Sequence, residues 1–266
     1  MKLLVATIAV LAAIAILVRA VEARFAFFPS AGEHPTPDDL GLTFERATLS
    51  TSDGEQLRAW LMPHPAARAL VVYFHGNGGN LSVWLPILAG LHHQGFTVAA
   101  IDYRGYGAST GRPSEQGLYR DVDAALEWAS RLVRPGLPVI YWGRSLGTTM
   151  AAYAATRRRP GGLVLEAGFP DVRSLMRTSP ALAVLSLFSS YRFPTAEYAA
   201  RAGCPVLVMH GDADGVVPFS SGRELFARLP EPKRFAVIAG GDHNDSSPPD
   251  PRSYWSAVHA FVDSLR

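Results

Sequence analysis

The five residues Gly143-Arg144-Ser145-Leu146-Gly147 place a hydroxyl between two glycines. They stand between the apolar run Val139 to Trp142, which reads as a strand, and a helix starting near Leu146. On its own the pentapeptide is also an ordinary turn. A strand, a sharp turn and a helix in succession make it a nucleophile elbow, where glycines relieve crowding and the serine is held strained and exposed. The chemistry such a serine performs is attack on an ester-like carbonyl, with an acyl-serine intermediate.

A serine hydroxyl is a weak nucleophile and needs a base, itself oriented by an acid. His243 lies in Gly240-Gly241-Asp242-His243-Asn244-Asp245, just after the last apolar strand-like run. It is favoured as base over His75 and His210, which precede glycines in other loops, and over His92, His93 and His259, which fall on helical stretches. Asp214, in His210-Gly211-Asp212-Ala213-Asp214-Gly215, is the first choice of acid. Asp212 is nearer the strand and can instead brace the turn; Glu166, directly after another strand, ranks third. The oxyanion of the intermediate needs two backbone N–H donors. Leu146 supplies one, and Asn77, in His75-Gly76-Asn77-Gly78-Gly79-Asn80, supplies the other. A phosphate cradle is a weak reading of that glycine-rich loop, since neither Gly-Lys-Ser/Thr nor Gly-x-Gly-x-x-Gly follows.

These residues must be brought to one place by the elements around them. Residues Leu42 to Ser50 and Gln56 to Met62 flank the turn residues Asp53-Gly54 and predict a hairpin. The runs Ala69 to Phe74, Thr97 to Ile101, Val139 to Trp142, Gly162 to Leu165, Val206 to Met209 and Phe235 to Ile238 are short and almost continuously apolar, as in strands buried on both faces. Between them lie helical stretches. The clearest has Ser114 as cap and Glu115 in the first turn, then Leu118, Val122, Leu126, Ala129 and Val133 on one stripe. The alternation predicts a mostly parallel sheet with helices on both faces, and in such sheets ligands bind outside the carboxyl ends of the strands. Ser145, Asp214, His243, Leu146 and Asn77 all follow strands, so all are expected at that edge.

The first two dozen residues are different in kind. An uncharged apolar run from Leu3 to Val18 is followed by Arg19, Glu22 and Arg24. Sixteen residues of helix span about 24 Å, short of a hydrocarbon core of about 30 Å unless the segment extends through Val21 with Arg19 snorkelling. Residues 1–24 are therefore expected to be a membrane anchor, or else a signal segment cleaved near Val18-Arg19-Ala20. Either places a catalytic domain over residues 25–266 outside the cytoplasm, anchored in the first case and secreted in the second. The charges on the two sides of the run do not fix its orientation.

A composition of 48% hydrophobic and 18% charged residues fits a packed core and excludes a disordered chain. A net charge of +2, with only Arg157, Arg158 and Arg159 in a run, gives no reason to expect a nucleic-acid partner; that run reads as a solvated helix end. The single cysteine, Cys204, excludes an internal disulfide and any cysteine-built metal site, and reads as a buried structural thiol. No metal is expected.

Four groups of motifs together resemble one part of the α/β-hydrolase superfamily: N-terminally membrane-anchored serine hydrolases related to the protein depalmitoylases. The resemblance rests on Phe74-His75-Gly76-Asn77-Gly78-Gly79-Asn80, on Asp102-Tyr103-Arg104-Gly105-Tyr106-Gly107 running into Gly111-Arg112-Pro113-Ser114-Glu115, on Gly143 to Gly147, and on His210-Gly211-x-x-Asp214 with Val217-Pro218. It covers the chain from about Phe25 onward. It implies an eight-stranded sheet, a Ser145, Asp214, His243 triad, a structural loop at Asp102 to Gly107 and no cofactor. It also implies a short cap over the site from Phe169 to Tyr198, whose apolar run Ala181 to Phe188 either faces an acyl chain or seals the core. The expected substrate is an acyl ester or thioester, small or lipid-like. An amidase or peptidase of the prolyl-oligopeptidase type is the alternative, less favoured because the chain has no gating domain. A non-catalytic binding protein on the same fold is the least favoured, because all three triad residues are present.

Overall fold

The computed structural model describes residues 2–178, 183–184 and 186–265. The helices are α1 (Lys2–Ala26), α2 (Leu81–His93), α3 (Glu115–Ser130), α4 (Gly147–Arg157), α5 (Val172–Met176), α6 (Thr195–Ala200), α7 (Phe219–Ala227) and α8 (Pro251–Asp263). Among the described residues ten strands lie between them: β1 (Phe28–Pro29), β2 (Glu45–Ser50), β3 (Gln56–Met62), β4 (Ala69–Phe74), β5 (Gly78–Gly79), β6 (Phe96–Ile101), β7 (Val139–Arg144), β8 (Gly162–Glu166), β9 (Val206–Gly211) and β10 (Lys233–Ile238). Eight of them form one sheet in the order β10-β9-β8-β7-β4-β6-β3-β2. It is parallel from β10 to β6, and the hairpin β2–β3 adds antiparallel to β6. This is the α/β-hydrolase fold expected, with eight strands and helices on both faces.

The strands form where apolar runs find helices on each side. Every residue of β4, Ala69–Phe74, is buried, because its alternate side chains enter two separate cores. Val72 and Phe74 pack with Leu118, Val122 and Met150 on one face. Val71 and Tyr73 pack with Leu81, Leu88 and Val258 on the other. Each fully buried aliphatic side chain of this kind stabilises the fold by about 1.5–3 kcal/mol. Helix α3 begins as its sequence dictates: the Ser114 side chain accepts from the Gly117 N–H at 3.1 Å, and Leu118, Val122, Leu126 and Ala129 are buried. Val133 does not continue the stripe. The helix ends at Ser130, ahead of Pro135, which disfavours helical backbone before it, and Val133 is 48% exposed.

Other sequence expectations shift at their ends. The first hairpin strand starts at Glu45 rather than Leu42. Strand β10 lies at the sheet edge and none of its residues is fully buried, against the expectation of burial on both faces. Strands β7, β8 and β9 run on to Arg144, Glu166 and Gly211, carrying polar residues to the edge where the site forms. Cys204 is buried and unpaired, and burial pushes its thiol up to about 11. Arg157, Arg158 and Arg159 are exposed at the end of α4.

The cap run Ala181 to Phe188 falls partly outside the described residues, at 181, 182 and 185. Of its described members, Val184 and Leu187 are exposed. At the amino terminus α1 is a 25-residue helix with Leu4, Val10, Ile16 and Leu17 exposed. Among the described residues no helix is long and apolar enough to cross a membrane; the anchor expected over 1–24 falls partly on the side chains of 1, 3, 5, 8, 11, 14, 20 and 21, which lie outside them. The carboxyl end of α1 is tied to the cap, with the Glu22 carboxylate accepting from Ser189 Oγ at 2.9 Å and from the Ser190 N–H at 3.0 Å.

Candidate active site

Strand β7 delivers Ser145 to the carboxyl edge of the sheet, and the turn there is as tight as the motif predicts. Ser145 has φ of 55°, a left-handed backbone that is costly for a residue with a Cβ and persists only where the surroundings enforce it. The enforcement is visible in the two glycines. A Cβ on Gly143 would collide with the carbonyl of Gly147, and one on Gly147 with the carbonyl of Phe74. The Ser145 N–H donates to the Glu166 carbonyl at 2.9 Å, fixing the elbow to β8.

The two other proposed triad members arrive on the loops after β9 and β10. His243 Nε2 lies 3.0 Å from Ser145 Oγ, and His243 Nδ1 lies 2.8 Å from Asp214 Oδ2. An ionised carboxylate only accepts, so Nδ1 carries the proton and Nε2 is left to accept from the serine hydroxyl. Asp214 is fixed by its second oxygen, which accepts from the Val216 and Val217 N–H groups at 2.9 and 2.8 Å. Burial raises the pKa of this carboxyl, but hydrogen bonds from His210 and His243 outweigh burial and hold it well below the usual carboxylate range.

The alternatives for the acid are occupied elsewhere. Asp212 Oδ1 accepts from the Gly240 N–H at 2.7 Å and braces the turn, as its position suggested. Glu166 accepts from Trp142 Nε1 at 3.0 Å and Tyr254 Oη at 3.1 Å. Asp242 holds the histidine loop, accepting from the Gly215 and His243 N–H groups. His75 is fully buried with Nε2 3.5 Å from Asp102, and His92, His93 and His259 sit on α2 and α8.

Asn77 and Leu146 are the expected oxyanion donors. Both line the same cleft as Ser145 and His243. Among the described residues neither backbone N–H has a hydrogen-bond partner. The rest of Asn77 is engaged: its side-chain amide donates to the Ala26 carbonyl at 2.6 Å, and its own carbonyl accepts from Tyr106 Oη at 2.8 Å. The loop is held further by β1, which pairs with β5, and by Asn80, whose amide donates to the Gly32 carbonyl at 3.0 Å.

The cleft encloses about 710 Å³. Its walls include Ala26, Phe28 and Trp84, which the sequence did not single out, and Phe169, Tyr191 and Phe193 from the segment expected to form the cap. The described Val184 and Leu187 of the apolar run are absent from the lining; besides those aromatic residues the cap contributes Val172 and Leu175. Arg144 was also missed, although an arginine closing an apolar strand is itself a signal. Its side chain is buried, its Nη2 donates to the carbonyls of His243 and Asp245, both at 2.8 Å, and its Nη1 lies 3.9 Å from Glu166 Oε1. Among the described residues no group of three or more His, Cys, Asp or Glu could hold a metal ion.

A family model described as "Serine aminopeptidase, S33" matches residues 65–201. An uncharacterized protein of Mycobacterium tuberculosis is 36% identical over 244 residues, which are 90% of this chain and 86% of that protein. The α/β hydrolase domain-containing protein aho-3 of Caenorhabditis elegans is 32% identical over 205 residues, 76% of this chain and 60% of the worm protein. Among solved structures, an esterase of Pyrococcus furiosus superposes with a TM-score of 0.72 over 90% of this chain and 98% of its own, at 18% identity.

Proposed function

This chain belongs to the α/β-hydrolase family described as serine aminopeptidase S33, and we propose that within it the protein hydrolyses carboxylic ester or thioester bonds through an acyl group carried on Ser145. The observation that carries the reading is the unbroken relay from Ser145 Oγ to His243 Nε2, at 3.0 Å, and from His243 Nδ1 to Asp214 Oδ2, at 2.8 Å. His243 takes the hydroxyl proton as Oγ bonds to the carbonyl carbon. The oxyanion is stabilised by the Asn77 and Leu146 N–H groups. His243 then returns the proton to the departing alcohol or thiol. In the second half a water gives its proton to His243, attacks the acyl carbon, and the acid leaves as Oγ is reprotonated.

The cleft favours an uncharged acyl group over an amino-terminal residue. An aminopeptidase must hold an ammonium ion, and a buried cation needs a carboxylate partner. Among the described lining residues the one carboxylate is Asp245, whose Oδ2 accepts from the Asp242 N–H at 2.8 Å. The apolar walls suit an aliphatic chain.

The reading extends to a membrane-attached enzyme of the depalmitoylase-related kind, with α1 as the tether and the catalytic part outside the cytoplasm. Its support is the uncharged run Leu3 to Val18, continued by a helix whose carboxyl end is bonded to the cap through Glu22. Fractionation of cells expressing the full chain tests this part: the protein stays with the membranes after carbonate washing, and recovery in the soluble fraction contradicts it.

The test of the activity is a panel of p-nitrophenyl esters from acetyl to palmitoyl, run beside aminoacyl anilides. The account expects ester turnover that rises with chain length beyond acetyl and anilide turnover near background. Anilide cleavage exceeding ester cleavage would favour the peptidase reading.

A further inference from the structure

Arg144 is the residue before the nucleophile, and nothing in the relay itself uses it. Its position in the sheet is nonetheless specific. It ends β7 in register with Glu166, which ends β8, so two opposite charges stand side by side at the edge where the site forms. The Arg144 side chain is 8% exposed and that of Glu166 is 5% exposed. Glu166 is anchored by Trp142 and Tyr254, at 3.0 and 3.1 Å, and the guanidinium lies 5.7 Å from the ring centroid of Trp84.

Both hydrogen bonds that this guanidinium makes among the described residues run from Nη2 to the histidine loop, one to the His243 carbonyl and one to the Asp245 carbonyl, each 2.8 Å. Asp242 and Asp245 also brace His243 and its neighbours by accepting from N–H groups of this loop and the Asp214 loop, Asp212 accepts from the Gly240 N–H, and Asp214 meets the imidazole itself. Arg144 ties the histidine loop to the nucleophile's own strand. One strand end therefore fixes both the hydroxyl and the loop that presents the imidazole. Charge-assisted hydrogen bonds are the strong ones, and a planar guanidinium can serve two acceptors from one nitrogen in a fixed geometry.

We propose that Arg144 is a positioning residue for His243: by clamping the carbonyls on either side of Asn244 it holds the imidazole in line with Ser145 Oγ. The proposal rests on the serine-hydrolase reading above. Glu166 serves as the buried counter-charge that keeps the guanidinium at its post. Lysine does not replace it, because its ammonium stands about one bond short of the Nη2 position and lacks the fork.

The experiment measures steady-state ester hydrolysis for the full chain and for Arg144→Ala, Arg144→Lys and Ser145→Ala, with and without methylguanidinium. Misplacing a reacting group by about 1 Å is worth about 100-fold in rate. Arg144→Ala is expected to lose that factor in kcat, with KM changed less than about threefold. Methylguanidinium is expected to restore at least about tenfold of the loss in Arg144→Ala and to leave Ser145→Ala unmoved. Arg144→Lys is expected to stay near the level of Arg144→Ala.

Removing the arginine alone leaves Glu166 buried without its partner, which threatens folding. The double variant Arg144→Met/Glu166→Gln removes both charges and is measured alongside. A similar kcat loss in the folded double variant supports the clamp, and parental kcat overturns it. Absence of rescue in folded Arg144→Ala also overturns it. Ser145→Ala sets the floor: a parent no faster than that floor refutes the hydrolase reading itself, whereas a parent well above it, matched by Arg144→Ala, refutes only the clamp.

Discussion

The carboxylate oxygen of Asp214 that meets His243 also lies 3.4 Å from Nε2 of His210, an imidazole with no exposed side-chain surface. His210 is itself within 2.9 Å of the Val217 carbonyl through the same nitrogen, so that nitrogen carries its proton toward the carbonyl and the carboxylate together. Gly222 packs against this ring so tightly that a Cβ there would collide with it. The proposed acid is thus held between two imidazoles and two backbone N–H groups, which explains why its carboxyl is held so low despite burial.

A depressed carboxyl pKa has a definite sign in stability. Asp214 binds its proton more weakly in the folded chain than at the ordinary value of 3.8, so its contribution is present above that value and is lost as pH falls below it toward the folded value. Urea unfolding measured between about pH 5 and pH 3 is expected to show a steeper loss of stability for the parent than for Asp214→Asn. Parallel curves would contradict the arrangement around this carboxylate.

The same substitution is expected to abolish most activity while leaving the fold in place. An asparagine in place of the carboxylate presents the wrong partner to Nδ1 and no compensating charge, a change worth about 10⁴-fold in kcat in serine hydrolases with this relay. Steady-state ester hydrolysis with circular dichroism on the same sample checks it; a loss below about tenfold would mean that Asp214 is not the acid.

Two glycines predict opposite outcomes for the same mutation. Gly147→Ala drives a Cβ into the Phe74 carbonyl, and overpacking against backbone lowers stability by about 1–3 kcal/mol. Gly90, inside α2, would place its Cβ 3.5 Å from the Trp255 ring, an ordinary contact, so Gly90→Ala is expected to stabilise by about 0.5–1 kcal/mol through helix propensity. Thermal unfolding of the two variants reads both signs.

Cys204 supplies a probe of the core near β9. With its thiol pushed up to about 11 by burial, it is expected to resist iodoacetamide at neutral pH in the folded protein and to react fully in denaturant. Rapid alkylation of the native chain would contradict its placement.

Much of the candidate site was legible in the sequence, and the reason is topological. Ser145, Asp214 and His243 each follow a strand of a parallel sheet, so strand runs alone place them at one edge. Leu146 and Asn77 follow strands in the same way, and both line the cleft beside Ser145. The preference for Asp214 rested on Asp212 lying nearer the strand, where it can brace the turn; Asp212 indeed meets the Gly240 N–H while Asp214 faces the imidazole. Arg144 and Glu166 became partners only through the register of β7 on β8, a relation between segments that no local pattern encodes. The cleft wall was hidden for a similar reason. Ala26 and Phe28 reach the site because β1 pairs with β5, two residues against two, too short to leave a periodic trace.

The most direct test of the central claim is to treat the full chain with a fluorophosphonate and locate the adduct by peptide mass spectrometry, for the parent and for His243→Ala. The account predicts one adduct, on Ser145, in the parent and loss of labelling by several orders of magnitude in the variant. An adduct on any other residue, or labelling of Ser145 at an undiminished rate without the imidazole, would contradict it.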